Sequence, residues 1–398
     1  MSQWADLPKE LIESIGKCLD SPVDVLRCRS VCKSWRCYVA VPSFDQEIPY
    51  LILKIPQPIR ADAILVQSTV CRIEFANQNS NSSSCSMTKG WLTKIGESRY
   101  GKLKLQNPLS DKKIRYPLLN LLDTNFTQLS KGFMLKHPSG HPVYGVNKVV
   151  LFPISEKHYS KNEIGILAIF HEGKLGYWKY GHDNWTLLDD TNFQYDDIIE
   201  YKGQIYVVDT WGKVSWIDSS LKLIQYSPPL FGCGEQKHLV ESCGDLYVVD
   251  RYLDGKRITW KDYHIFDDVG NNIPIRHRRY RKCNPNAIDF RVHKLDEDWG
   301  KWVDVKSLED RAFVLGVDCN FSISCSDFAG GKGNCIYFTE DDNYLGRGLS
   351  NDCIRVFRLE DHSIEKIGAL PEYSEVFWPP DTGSEGTNLA QCSLSYFS

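Results

Sequence analysis

The chain has 398 residues, of which 42% are hydrophobic, 25% charged and 12% aromatic, and its formal net charge is −4. A chain of this length exceeds the size at which one hydrophobic core keeps growing, so we expect two domains or one large repeating architecture. The slightly acidic balance offers no overall attraction to nucleic acid or to an anionic membrane, and nucleic acid is not an expected partner.

The sequence shows no sign of secretion or of a membrane span. Its first ten residues, MSQWADLPKE, contain acids and a proline where a secretory signal needs a cationic start and an apolar core. No uninterrupted apolar stretch approaches the length that crosses a bilayer. The fourteen cysteines include no Cys-x-x-Cys pair and no His partner at zinc-finger spacing. We therefore expect a protein of the cytoplasm or the nucleus, with reduced thiols and with no metal or other cofactor.

The first forty or so residues have a helical pattern. Apolar side chains recur every three or four residues from Leu11 to Leu19, after a proline that the first turn of a helix tolerates. The tripeptide DSP at residues 20–22 breaks this helix, and a second apolar pattern follows from Val25 to Val39. Three short helices bury too little surface to be comfortably stable alone, so a partner is expected.

These helices carry a combined motif. The sequence LPxELIxxI at residues 7–15 is followed by VCKxWR at residues 31–36, and the pair resembles the F-box. This resemblance implies that residues 1–45 dock the SKP-type adaptor of a cullin–RING ubiquitin ligase. A plain helical cap on the following domain is the alternative. The positions expected to pack into the adaptor or to hold the helices together are Leu7, Pro8, Leu11, Ile12, Ile15, Val31, Cys32 and Trp35.

From Tyr50 onward the pattern changes to short strands. Runs such as KVVLFPI, IGILAIF and CIYF are separated by Gly, Asn, Asp and Ser, which is typical of an all-β domain. The chain lacks the strand–helix alternation of Rossmann and barrel enzymes, so the commonest enzyme folds are excluded.

Two nearly identical octapeptides indicate an internal repeat. KGQIYVVD at residues 202–209 and CGDLYVVD at residues 243–250 lie roughly 40 residues apart, as do KLGYW at 174–178 and KVSWI at 213–217. A period of this length built from short strands is typical of β-propeller blades. We therefore predict a β-propeller over residues 50–398, with six blades or with seven tighter ones. An irregular pair of β-sandwiches is the structural alternative.

The later repeats are less regular. Residues 290–295 and 301–305 predict a hairpin with 311–316 as its third strand, and residues 335–338 and 353–359 predict further strands. Tryptophans within the blades are expected to lie in blade cores because their large apolar surface favours burial. They include Trp178, Trp211, Trp216 and Trp302.

The C-terminal part carries a second resemblance. WVDVKSLEDRAFVL at residues 302–315, GKGNCIYFT at 331–339 and VFRLED at 356–361 are similar to the plant-specific domain of unknown function that follows an F-box in kelch-like F-box proteins. Together the two resemblances imply a plant F-box protein that receives substrates for ubiquitylation. They imply a non-catalytic subunit whose partners are the adaptor, through it a cullin, and an unknown protein target.

Other candidate chemistry is weak. GGKGN at residues 330–334 lacks the spacing of a phosphate loop and leads into a strand, so we interpret it as a turn. The basic run from Arg276 to Lys282 predicts a nuclear localisation signal, a contact for an acidic partner or a solvated loop. The alternative function is a propeller that acts as an enzyme or as a ligand-binding module independently of ubiquitylation.

Overall fold

A computed structural model describes residues 4–19, 22–39, 52–55, 59, 61–75, 89–97, 103–110, 113–114, 124–143, 145–152, 165–170, 173–182, 184–189, 194–255, 285–340 and 353–377. These residues comprise a helical region, residues 4–39, and a β domain, residues 52–377. The prediction of a mainly β chain with a helical N-terminal region is confirmed.

The helical region has three short α-helices after a 3-10 turn at Trp4–Asp6. They are α1 (Lys9–Lys17), α2 (Pro22–Val31) and α3 (Lys33–Tyr38). Helix α1 begins directly after Pro8, whose carbonyl oxygen accepts the N–H groups of Leu11 and Ile12 at 3.1 and 3.2 Å. Proline suits this position because it donates no hydrogen bond of its own.

Strands of the first sheet fall into two units. The first unit contains β1 (Ile52–Ile55), β2 (Ala61–Phe75), β3 (Trp91–Glu97), β4 (Leu103–Gln106) and β5 (Thr124–Lys136). The second contains β6 (Val146–Phe152), β7 (Gly165–Phe170), β8 (Lys174–Lys179) and β9 (Thr186–Leu187). Strands β5 and β6 join the two units through a single register pair, Phe133 with Val149.

Each remaining sheet is a unit of its own. The third unit is β10 (Tyr195–Tyr201), β11 (Gln204–Asp209), β12 (Val214–Ile217) and β13 (Leu223–Gln225). The fourth is β14 (Gln236–Ser242), β15 (Asp245–Leu253), β16 (Ala287–Asp296) and β17 (Lys301–Val305). The fifth is β18 (Arg311–Leu315), β19 (Asn320–Ser324), β20 (Cys335–Thr339), β21 (Ile354–Arg358) and β22 (Ile364–Lys366), and a short α4 (Pro371–Ser374) follows it.

Apolar clusters lie between successive units and close them into a ring. One cluster contains Ala63 of the first unit and Ile166 of the second, and the next clusters join the second to the third, the third to the fourth and the fourth to the fifth. A last cluster joins Val314 of the fifth unit to Leu92 of the first. Leu92 N also donates to Val376 O at 2.7 Å, so the end of the described chain is tied to β3.

The repeated YVVD run is explained by its place in this ring. In β11, Val207 belongs to the cluster shared with the second unit, whereas Tyr206 and Val208 belong to the cluster shared with the fourth. Because alternate side chains of a strand point to opposite faces, a strand covered on both faces must be apolar at consecutive positions. In β15, Val248 and Val249 divide between two clusters in the same way.

The turn before each YVVD strand is also shared. Lys202 and Gly203 have φ values of 48° and 73°, and Cys243 and Gly244 have 54° and 81°. Two successive positive φ values define the tight hairpin turn that matches the twist of antiparallel strands, and its second position favours glycine. The glycine turn read from the sequence is therefore confirmed in both copies.

One detail of the predicted propeller is wrong and another is not confirmed. Residues 311–316 were expected to be the third strand of the hairpin formed by β16 and β17, but Arg311–Leu315 form β18 of the next sheet, paired with β19 and β20. The described strands group into five units, so the predicted six blades are not confirmed. The β16–β17 hairpin itself and the strands predicted at residues 335–338 and 353–359 are confirmed, and the structure shows that these two strands, β20 and β21, pair with each other.

Candidate functional site

The helical region is built around a small apolar core. Its fully buried members are Ile12, Val25, Trp35 and Val39, and its partly buried members are Leu7, Ile15, Leu19, Cys28 and Cys32. Trp35 of α3 also contacts the 3-10 turn that precedes α1, because its indole N–H donates to the carbonyl oxygen of Trp4 at 3.0 Å. Side chains from all three helices therefore meet in one cluster.

Several apolar side chains of the same helices face outward. The exposed fractions are 52% for Leu11 and 50% for Val31. Pro8, which belongs to the same sequence motif, is also exposed. Trp4 and Tyr38 are also exposed, and the Lys9 ammonium lies 5.7 Å from the centre of the Tyr38 ring. Apolar groups on so small a domain are the kind of surface that a protein partner covers.

The β domain has a polar network at its centre. Lys94 and Asp318 form an ion pair of 2.6 Å, with side chains only 2% and 3% exposed. Ser68 donates to the same carboxylate. Gly132 makes room for this group, because a Cβ there would lie 2.6 Å from the carboxyl carbon of Asp318. We call the set Ser68, Lys94, Lys148, Asp197, Asp318 and Asn320 the central network.

The central network links all four sheets. Lys148 on β6 donates to Gly316 O and to Asn320 Oδ1, both at 3.2 Å. The Asn320 amide on β19 donates to Asp197 Oδ2 on β10 at 2.6 Å and to Leu239 O on β14 at 3.2 Å. Each buried charge has hydrogen-bonding partners, as burial in a low dielectric requires.

The two carboxyl groups of the network respond differently to burial. Burial raises the pKa of Asp197, and Lys148 and two backbone N–H groups offset this only in part. Burial also raises the pKa of Asp318, but Lys94, Ser68 and Lys148 outweigh it and hold this pKa below its ordinary value of 3.8. Asp318 is therefore charged at neutral pH and pairs with Lys94.

A second buried pair lies in the fourth unit. Lys237 and Asp250 are 2.7 Å apart and their side chains are fully buried. The Lys237 ammonium also donates to Gly234 O at 2.7 Å, and the Asp250 carboxylate accepts the N–H of Gly234 at 3.2 Å. This pair fixes the loop before β14 against the sheet.

Two aromatic side chains stand out from neighbouring loops of the third unit. Trp211 is 64% exposed and Phe231 is 77% exposed. Their loops touch, because Leu230 N donates to Trp211 O at 3.1 Å, and Asp209 holds the first loop by accepting the N–H groups of Trp211 and Lys213. Phe231 has a φ of 55°, an unusual value for a bulky residue.

Comparison with known proteins identifies both parts of the chain. A family model described as KIB1-4 beta-propeller matches residues 60–364, and one described as F-box-like matches residues 4–47. This chain is an F-box protein of the KIB1-4 beta-propeller family. The β domain is accordingly called the propeller below, and the helical region the F-box.

Relatives of this F-box protein match over nearly its whole length. Putative F-box protein At1g65770 of Arabidopsis thaliana is 30% identical over 91% of this chain and 93% of its own. F-box protein SKIP23 is 30% identical over 96% and 95% of the two chains, and F-box protein At2g17036 is 29% identical over 96% and 94%, both from the same plant. The expected resemblance to plant F-box proteins is confirmed.

The F-box divides the eight expected adaptor-binding residues by burial. Pro8, Leu11 and Val31 are on the surface, Ile12 and Trp35 are buried in the core, and Leu7, Ile15 and Cys32 pack partly against that core. Trp4 and Tyr38 are exposed apolar residues that the motif did not single out. The available signal in the sequence was that both are large aromatic residues in a region too short to bury every aromatic side chain.

The tryptophan expectation holds only in part. Trp178 is buried, and Trp216 and Trp302 pack partly against the cluster between the third and fourth units. Trp211 was expected in a blade core and is instead exposed, because it occupies the turn between β11 and β12 and not a strand. Sequence spacing alone does not separate the last residue of a strand from the turn that follows.

The remaining sequence candidates carry no site among the described residues. Residues 330–334 form a turn, where Asn334 accepts the N–H of Leu308 and donates its own to Arg311 O before β20 begins. The run from Arg276 to Lys282 lies outside the described residues. Within the described part of the chain, no cluster of three or more His, Cys, Asp or Glu could hold a metal, and no helix is long and apolar enough to cross a membrane.

Proposed function

We propose that this protein is a substrate-recognition subunit of an SKP–cullin–F-box ubiquitin ligase. In this role residues 1–45 dock an SKP-type adaptor, which recruits the cullin, and residues 50–398 capture a protein target. The protein would act in the cytoplasm or the nucleus and would supply no catalytic group, since ubiquitin transfer takes place on other subunits of the ligase.

The observation that carries this proposal is the half-exposed pair Leu11 and Val31 within the F-box motif. The apolar core below them already has Ile12 and Trp35 as members, so these outward residues are not needed to fill it. Burial of such side chains by a partner contributes about 1.5–3 kcal/mol each if it is complete. The partly exposed Leu7, Ile15 and Cys32 and the buried Ile12 and Trp35 would support the surface from beneath.

The test is co-purification of the full chain with a plant SKP-type adaptor. Leu11→Asp places a charge in the proposed interface, where it would lose its water without gaining a partner. We expect wild type to form a stoichiometric complex and Leu11→Asp to lose at least about 95% of the captured adaptor, since a loss of 2–3 kcal/mol weakens binding roughly 30-fold or more.

Ile288→Asp is the matched control. Ile288 is an aliphatic residue of the propeller and is 56% exposed, close to the value for Leu11. The same substitution there should leave adaptor capture unchanged. Leu7→Asp is a poorer choice than Leu11→Asp, because Leu7 packs against the F-box core and a charge there would disturb the fold.

A complementary variant separates fold from surface. Trp35→Ala removes the largest side chain of the F-box core and should abolish adaptor capture together with the helical signal of the F-box, whereas Leu11→Asp should abolish capture alone. If wild type never captures the adaptor, or if Leu11→Asp captures it as well as wild type does, the ligase role is wrong. A ligand of the propeller itself would then be the function to seek.

A further inference from the structure

The first unit of the propeller is covered on both faces by different partners. Val70 and Leu92 belong to the cluster shared with the fifth unit. Cys71, the residue after Val70, and Ile95, three residues after Leu92, belong to a separate cluster, and the third buried member of that cluster is Val23 of helix α2 in the F-box. Because adjacent residues of a strand point to opposite faces, the F-box lies on the face of β2 that is turned away from the fifth unit, beside the part of that face that packs against the second unit.

Arg27, one helical turn after Val23, makes the polar contacts of the same surface. One guanidinium nitrogen donates to Asp24 Oδ1 on its own helix at 2.6 Å. Another donates to the carbonyl oxygen of Thr124 on β5. The guanidinium carbon also lies 5.7 Å from the ring centre of Phe126, a partly buried member of the same cluster. Arg27 therefore bridges the F-box and the propeller.

The chemistry of arginine suits this bridge. A planar guanidinium can donate in two directions at once and can lie over an aromatic ring, whereas an ammonium group concentrates its charge at one point. Asp24 neutralises the charge of the guanidinium and holds it in place. The second nitrogen then donates to the backbone carbonyl of Thr124, which a side-chain substitution at that position would not remove.

We infer that Val23 and Arg27 are positioning residues that fasten the F-box to the first unit of the propeller in one orientation. The consequence rests on the proposed function, since a fixed orientation would set where a captured target lies relative to the adaptor. In a ligase, such preorganisation restricts which lysines of the target reach the transferred ubiquitin.

Cys71 offers a direct readout of this contact. It lies beneath Val23, is 3% exposed, and burial raises the pKa of its thiol to about 12. Alkylating reagents react with the exposed thiolate, so Cys71 should react slowly while α2 is seated and faster whenever α2 lifts. Cys335 is buried in the cluster between the fifth and first units and reports on the propeller itself.

The experiment follows iodoacetamide labelling of the full chain by peptide mass mapping. In Arg27→Glu we expect Cys71 to react at least about tenfold faster than in wild type, because the opened state is more populated, while Cys335 reacts at the wild-type rate. Val23→Ala should accelerate Cys71 in the same direction through loss of packing. Arg36→Glu, an exposed charge reversal on α3, is the matched control and should change neither rate.

Two results would overturn the inference. In the first, Cys71 of Arg27→Glu and of Val23→Ala reacts at the wild-type rate, so that neither residue holds α2 in place. In the second, both variants accelerate Cys71 and Cys335 together, so that α2 is an integral part of the propeller core and not a separable fastening.

Adaptor capture by the same variants keeps this inference distinct from the proposed function. We expect Arg27→Glu to capture the adaptor like wild type and, in a reconstituted ligase, to spread self-ubiquitylation over more propeller lysines. Failure of wild type to capture the adaptor would refute the ligase role and leave the Cys71 result standing. Normal capture combined with an unchanged Cys71 rate would refute only the fastening role.

Discussion

The F-box and the propeller differ in whether charged groups lie in their interiors. The F-box keeps a four-residue buried core and leaves Leu11 and Val31 half exposed. The propeller places apolar clusters between its units and buries charged groups, among them Lys94 and Asp318, at its centre. The buried interior of the described F-box is therefore apolar, whereas that of the propeller also contains paired charges.

This difference separates binding from stability. Changes on the F-box surface should alter what the chain binds without unfolding the propeller, because the packing and hydrogen bonding between the two regions within the described residues run through α2, away from Leu11 and Val31. Changes in the central network should destabilise the whole ring, because that network connects all four sheets.

The largest effect is expected from breaking the central ion pair. Lys94→Met leaves the Asp318 carboxylate buried without its closest cation, and breaking such a pair by removing one partner costs about 3–5 kcal/mol. We predict a loss of this size in the free energy of unfolding, measured by urea titration of the full chain.

The double variant Lys94→Met/Asp318→Asn is the control for this prediction. Removing both charges leaves no uncompensated ion, so the double variant should be more stable than Lys94→Met alone. Equal stability of the single and double variants would mean that the pair contributes to the fold only through the space it fills.

Acid should weaken the same pair by a smaller amount. The pKa of Asp318 is lowered in the folded protein, so its contribution to stability is present above the ordinary value of 3.8 and is lost as pH falls through the folded pKa. Protonation leaves the Lys94 ammonium charged but keeps a carboxyl oxygen beside it as a hydrogen-bond acceptor, so the loss should be smaller than in Lys94→Met, where the carboxylate loses the Lys94 partner altogether. Urea midpoints measured below about pH 5 should fall more steeply for wild type than for the double variant.

The sequence predicted those parts of the fold that are determined by residues close together in the chain. The YVVD runs and their glycine turns were recognised because each strand carries apolar residues on both faces and each turn requires positive φ at two positions. The position of residues 311–315 was missed because β18 resembles any third strand. In the sheet β18 lies between β19 and β20, and it pairs in parallel with β20, which no local pattern reveals.

The sequence motif predicted which residues belong to the candidate site, but it did not predict which of them are exposed to a partner. The motif located eight residues, but Leu11 and Ile12 are adjacent, equally apolar and differ completely in burial. Which of two neighbours faces the core depends on how α1 lies against α2 and α3. The central network was not predictable at all, since its members extend from Ser68 to Asn320 and share no spacing or motif.

The smallest effect is expected at Trp211, which was predicted, like Trp178, to lie in a blade core. Trp211 is 64% exposed on a turn, whereas Trp178 is 5% exposed in the cluster between the first and second units. We predict that Trp211→Ala changes the free energy of unfolding by less than about 0.5 kcal/mol, as surface substitutions usually do. Trp178→Ala, the matched control, should cost about 3–5 kcal/mol. A comparable loss of stability in both variants would show that the Trp211 turn packs as part of the core. The exposed loops of the third unit would then contribute to stability as its interior does.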